Sequence, residues 1–262
     1  MNRFFNFSFR CRNRSSMHIY RLLLLFGVFA LLFTACNSAA STGRPSAESA
    51  TATAGITATV RATLFSKPIT YVALGASDAV GVGSSQPGAQ GYVPLIAARL
   101  PRGSHMLNLG ISGIRLHAAL SEELPLALNT SPQLVTIWLV TNDFIGGVSY
   151  GNYLGDLNTL LSRLHAKTRA RIIMANLPDI TLLPAFGRDT PAEKERLRQA
   201  VKQWDQGIAQ VAARYEITLV NLLQRDSELT AHPEYISRDG FHPSPQGYVR
   251  LAELFWQAIE QG

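Results

Sequence analysis

Short apolar runs alternate with helical stripes over residues 68–262. Five runs predict strands, at 71–75, 106–110, 134–140, 171–177 and 217–222. Most are continuous rather than alternating, as expected of strands covered on both faces. Tyr92, Ile96, Ala97 and Leu100 mark one helical stripe, and Leu154, Leu157, Leu161 and Leu164 mark a second. The longest stripe is Leu197, Val201, Trp204, Ile208, Val211 and Tyr215. It opens at Thr190-Pro191-Ala192-Glu193, which supplies a cap residue, proline in the first turn and glutamate at the third position. The last helix takes Ser244 as cap and Pro245 as first residue, with Tyr248, Leu251, Ala252, Phe255 and Ile259 on its apolar face. Strand and helix alternating in this way predict an α/β fold with a parallel, doubly wound sheet. Trp204 and the leucine stripes are expected in its core.

The N-terminal part reads differently. Arg21 precedes an apolar run at 22–33. Its length, about 12 residues, is that of a signal-peptide core, whereas a spanning helix needs about 20. Small residues follow, then Cys36. Phe33-Thr34-Ala35-Cys36 resembles the lipobox of bacterial lipoproteins, in which the cysteine is lipidated and becomes the new N-terminus. A plain signal peptide and an uncleaved anchor are the alternatives. All three readings put the rest of the chain outside the cytoplasm. Met17 is a second candidate initiator, because the segment from Met17 to Arg21 is already an adequate start for a signal. Residues 37–67 are rich in Ala, Ser, Thr and Gly and poor in large apolar side chains. Such a segment buries too little surface to offset its ordering entropy, so a flexible tether is expected there. The predicted organisation is thus a leader at 1–36, a tether at 37–67 and one domain at 68–262. A chain of 262 residues, 47% hydrophobic, supports one such domain with a full core.

The formal net charge of +6 belongs to the leader. Five of the 24 basic residues, Arg3, Arg10, Arg12, Arg14 and Arg21, lie in the first 35 positions with no acid among them. The other 19 face 18 Asp and Glu. This balance gives no electrostatic case for nucleic acid. Cys11 and Cys36 are the two cysteines. Cleavage before Cys36 leaves one, which excludes an internal disulfide and a cysteine metal site. No cluster has metal-ligand spacing, so neither metal nor cofactor is expected.

Chemistry gathers at the predicted strand ends, where ligands bind in an open α/β sheet. The first strand runs into Gly75-Ala76-Ser77-Asp78. The second runs into Asn108-Leu109-Gly110-Ile111-Ser112-Gly113, where a glycine lets a backbone N–H approach a ligand. The third is followed by Thr141-Asn142-Asp143, whose asparagine amide can donate to a developing oxyanion. Asp239-Gly240-Phe241-His242-Pro243 precedes the last helix and offers a carboxylate and an imidazole three residues apart. Ser77, Asp239 and His242 read as nucleophile, orienter and base. Ser112 is a rival nucleophile, and Asp143 is expected to orient its loop.

These four blocks, in this order, resemble the SGNH, or GDSL-type, serine hydrolases across the whole predicted domain. The Asp-x-x-His-Pro block matches in full. The first block has Ala76 and Asp78 where the family has aspartate and leucine, and the third has Val140 where the family has glycine. The resemblance implies a flavodoxin-like three-layer α/β/α fold with a five-stranded parallel sheet, and an esterase or lipase activity. It implies that Ser77 attacks an acyl carbonyl, His242 moves the proton and Asp239 holds the imidazole. The oxyanion would then sit on the N–H groups of Ser77 and Gly110 and the amide of Asn142. The substrates it allows are lipid, lysophospholipid and acetylated-sugar esters, and thioesters. Acyl transfer at the same site, or a surface lipoprotein that binds without turnover, are the alternatives. Substrate choice is expected in the loops at 144–151 and 178–189, where the run 182–186 could line an acyl pocket or be ordinary core.

Overall fold

The computed structural model describes residues 64–261. The leader, Cys36 and nearly all of the expected tether lie outside the described residues. Leu64 and Phe65, at the end of that tether, pack against the core.

Strand β1 (Thr70–Gly75) leads into the short helices α1 (Ser77–Val80), α2 (Pro87–Gln90) and α3 (Tyr92–Ala97), then β2 (His105–Asn108). Helices α4 (Leu116–Glu122) and α5 (Leu124–Asn129) connect to β3 (Leu134–Trp138). Helices α6 (Thr141–Ile145) and α7 (Tyr150–Lys167) connect to β4 (Arg171–Ala175). Two single 3₁₀ turns and α8 (Pro191–Arg214) lead to β5 (Thr218–Val220), followed by α9 (Asp226–Ala231) and α10 (Pro245–Gln261).

The five strands form one parallel sheet in the order β2-β1-β3-β4-β5. The burial pattern follows from that order. All of β3 is buried, and so is β1 apart from Thr70, because helices cover both faces. The edge strand β2 is exposed or half-buried, and its Met106 is 42% exposed. Helix α10 packs on α3, β4 and β5, while α7 packs on α4, α5 and α8. These two helical layers enclose the sheet, giving the expected three-layer, doubly wound architecture. The chain leaves β1 toward β2 on one side and later returns to β3 on the other. That reversal creates a crevice at the carboxyl ends of β1 and β3.

The predicted helices have sound local reasons. Thr190 Oγ1 accepts from the Glu193 N–H, and the Glu193 carboxylate accepts from the Thr190 N–H at 2.8 Å, a reciprocal cap. Ser244 Oγ accepts from the Gly247 N–H at 3.2 Å at the start of α10. Trp204 is buried and stacks on Tyr153 with 4.7 Å between ring centroids. Leu154 and Leu197 are only half-buried, at the margins of their stripes. Apart from β1, the strands are shorter than their apolar runs. After β2 the pairing still continues, because the N–H groups of Leu109 and Ile111 donate to Ala73 and Gly75.

Candidate active site

The sheet delivers Ser77 directly. Gly75 ends β1, and Ser77 opens α1 two residues later. A side chain at Gly75 would place its Cβ 2.6 Å from Ala79 Cβ, so only glycine permits this tight strand-to-helix bend. Asn108, at the end of β2, braces the same bend by donating to the Ala79 carbonyl at 2.6 Å.

His242 arrives from the other end of the chain on a pinned loop. Ile236 and Pro243 form an antiparallel bridge, and the Ser237 N–H donates to the His242 carbonyl at 2.8 Å. The Tyr248 hydroxyl, on α10, donates to the Val82 carbonyl just after α1. The two segments therefore meet. His242 Nε2 stands 2.9 Å from Ser77 Oγ, and His242 Nδ1 stands 2.7 Å from Asp239 Oδ2. Asp239 Oδ1 accepts from Ser237 Oγ and from the N–H groups of Phe241 and His242, at 2.8, 2.8 and 2.9 Å.

The electrostatics follow from these contacts. Partial burial pushes the Asp239 carboxyl up, but donors from His242, Phe241 and Ser237 outweigh it and hold the group down at about 2. It is ionised near neutral pH and has no proton to give. The imidazole must then carry its proton on Nδ1, which leaves the Nε2 lone pair facing the Ser77 hydroxyl. Asp78 behaves oppositely. Burial raises its carboxyl to about 6, against the lowering pull of His242 and its own N–H.

The second and third blocks also converge. Asn142 Nδ2 donates to the Ile114 carbonyl at 3.0 Å, leaving its second amide hydrogen without a partner among the described residues. Asp143 is buried and accepts from the Leu116 N–H at 3.0 Å, so it holds its loop as expected. The Gly110 N–H donates to Asn108 Oδ1 at 3.1 Å. The turn beyond it supplies an alternative. Ile114 N–H closes on the Ile111 carbonyl, and Gly113 takes a φ of 81°, the left-handed region. The N–H of Gly113 has no partner among the described residues, and it lies one residue from the carbonyl that holds Asn142. Ser112 is exposed and makes no hydrogen bond to a histidine among the described residues.

A profile of the GDSL-like lipase/acylhydrolase family matches residues 73–250, well over half of the chain. The chain belongs to that family. The GDSL-like chain is accordingly a carboxylic ester hydrolase. Among curated proteins none matches its sequence. Solved structures do. TesA aligns at 24% identity with a TM-score of 0.59, over 73% of this chain and 98% of its own. LAE5, an alpha/beta hydrolase from the metagenome of Lake Arreo in Spain, gives 20% identity and 0.61, over 75% and 97%. Axe2, an acetylxylan esterase from Geobacillus stearothermophilus, gives 21% and 0.58, over 73% and 94%. At these identities the likeness establishes the fold.

Two positions in this hydrolase escape sequence reasoning. Glu123 is buried, yet Glu122-Glu123 reads as an ordinary solvated helix end. Its Oε2 accepts from the Gly75 N–H at 3.0 Å. Asp205 sits among polar positions of α8, yet it is buried and accepts from Asn176 Nδ2 at 2.9 Å and the Leu177 N–H at 3.1 Å, beyond β4. Neither has a flanking motif. A cavity of about 120 Å³ also adjoins the site, lined by Asp78, Thr141, Phe241 and Pro243 among others. Of the run 182–186, Leu183 reaches that cavity, whereas Leu182 is 37% exposed. Among the described residues no group of three or more His, Cys, Asp or Glu could hold a metal ion.

Proposed function

We propose that the protein cleaves carboxylic esters through a Ser77-His242-Asp239 triad and an acyl-enzyme intermediate. The observation that carries this reading is the unbroken line of contacts from Ser77 Oγ through His242 to Asp239. His242 Nε2 takes the hydroxyl proton as Ser77 Oγ bonds to the acyl carbon. The imidazolium formed is stabilised by Asp239, then gives its proton to the leaving alcohol. Water repeats the sequence on the acyl-enzyme and releases the acid. The tetrahedral oxyanion would be held by the Ser77 N–H, at the unpaired start of α1, and by the free amide hydrogen of Asn142. Gly113 replaces Gly110 as the second backbone donor in this proposal.

The substrates proposed are lipid, lysophospholipid or acetylated-sugar esters. A lipid-anchored, extracytoplasmic location rests on the lipobox-like sequence at Cys36 alone. The decisive comparison is hydrolysis of p-nitrophenyl acetate by the full chain and by its Ser77→Ala form, with a fluorophosphonate probe on both. Covalent labelling of the unaltered chain alone, with hydrolysis lost in the variant, is expected. Equal rates in the two would remove Ser77 as nucleophile, and absence of labelling would favour a ligand-binding protein.

A further inference from the structure

We propose that the cavity beside the triad is a binding site for a neutral short-chain alcohol, whose hydroxyl donates to the Asp78 carboxylate. The inference concerns the cavity and stands whether or not Ser77 is a nucleophile.

The wall sets the ligand's body. Trp138, Ile180, Leu183, Leu251 and Leu254 line the space from β3, the β4–α8 connection and α10. These are apolar groups that favour a hydrocarbon occupant. The volume, about 120 Å³, sets the size. An apolar cavity of about 150 Å³ holds a benzene ring, so this one suits about five heavy atoms.

Asp78 sets the polar end. It is only 8% exposed and lines the cavity. Among the described residues its carboxyl has no donor beyond its own N–H. A buried carboxylate with so few donors is costly, and a ligand that brings another offsets part of that cost. The Thr141 hydroxyl, on the same wall and without a hydrogen bond among the described residues, can donate to the alcohol oxygen.

Charge sets the ligand's neutrality. Arg225, Arg250 and Glu228 also line the space, and Arg250 is tied to Glu228, with Nη2 to Oε2 at 3.0 Å. An ammonium ion would face Arg225 and Arg250, and a carboxylate would face Asp78 and Glu228. A hydroxyl meets neither penalty.

The test uses the full chain and n-butanol as probe, with saturation-transfer NMR and calorimetry as readouts. Saturable binding is expected, with n-butylammonium and butyrate at least tenfold weaker. Asp78→Leu should weaken n-butanol at least tenfold by removing the acceptor. Leu229→Trp, on α9 at the cavity wall, should do so by filling the space without touching Asp78. Circular dichroism checks that both variants are folded. No saturable binding to the unaltered chain, undiminished binding in either folded variant, or n-butylammonium binding as tightly as n-butanol would each overturn the proposal.

Discussion

The backbone N–H of Gly75 donates to the Glu123 carboxyl at 3.0 Å, two residues before Ser77. Both groups are buried, and Oε1 of the same carboxyl and the Tyr92 hydroxyl are buried without hydrogen-bond partners among the described residues. Burial raises the Glu123 carboxyl to about 8, against the lowering effect of the Gly75 N–H. The group is therefore mainly neutral in the folded chain at pH 7.

That neutrality has a consequence for stability. An unfolded glutamate ionises near 4.3, so between about pH 4 and 8 the unfolded chain binds fewer protons than the folded one. Stability is fully present below the unfolded value and falls as pH rises through the folded value of about 8. The total is on the order of a few kcal/mol. Glu123→Gln keeps an acceptor for Gly75 and removes the titration. Its melting temperature should vary less than that of the unaltered chain between pH 5 and 8. Parallel curves for the two would show that Glu123 is ionised in the fold.

Asp239 makes a different prediction, because its oxygens hold both a ring and a loop. Asp239→Asn offers Nδ1 an amide that can either accept or donate. The flipped amide would favour a proton on Nε2, where it faces Ser77 and blocks general-base action. In a triad this change costs about 10⁴ in kcat. The same order is expected here, with KM little changed, in steady-state hydrolysis of p-nitrophenyl acetate. A loss below tenfold would mean that the 2.7 Å contact does not set the tautomer.

The layout of the fold was legible because burial writes itself into continuous apolar runs, and the central strands are buried on both faces. The edge strand β5 shrinks to Thr218–Val220 because only one neighbour pairs with it. Helices α4 and α5 went unpredicted. Pro125 starts a new helix after only seven residues of α4, so neither piece is long enough to show a clear stripe. Ser77, Asp239 and His242 were legible from their motifs, and the fold brings them together. Which glycine N–H is free was not, because it depends on where the Asn108 side chain turns. Glu123 and Asp205 were hidden for a related reason. A charged residue on a helix looks solvated until the backbone donor that it serves is known.

Asn142 offers the sharpest separation of chemistry from packing. Among the described residues its amide nitrogen donates one hydrogen bond, to the Ile114 carbonyl, and keeps one hydrogen free. If that hydrogen meets the oxyanion, it acts mainly in the transition state. Loss of such a donor lowers kcat by about 10² to 10³ and leaves KM nearly unchanged. The structural bond to Ile114 is worth only about 1 kcal/mol. Asn142→Ala should therefore melt within a few degrees of the unaltered chain while kcat for p-nitrophenyl acetate collapses. A large fall in melting temperature with kcat preserved in the folded fraction would assign Asn142 to the loop alone. The oxyanion would then rest on backbone donors, with Gly113 the first to examine.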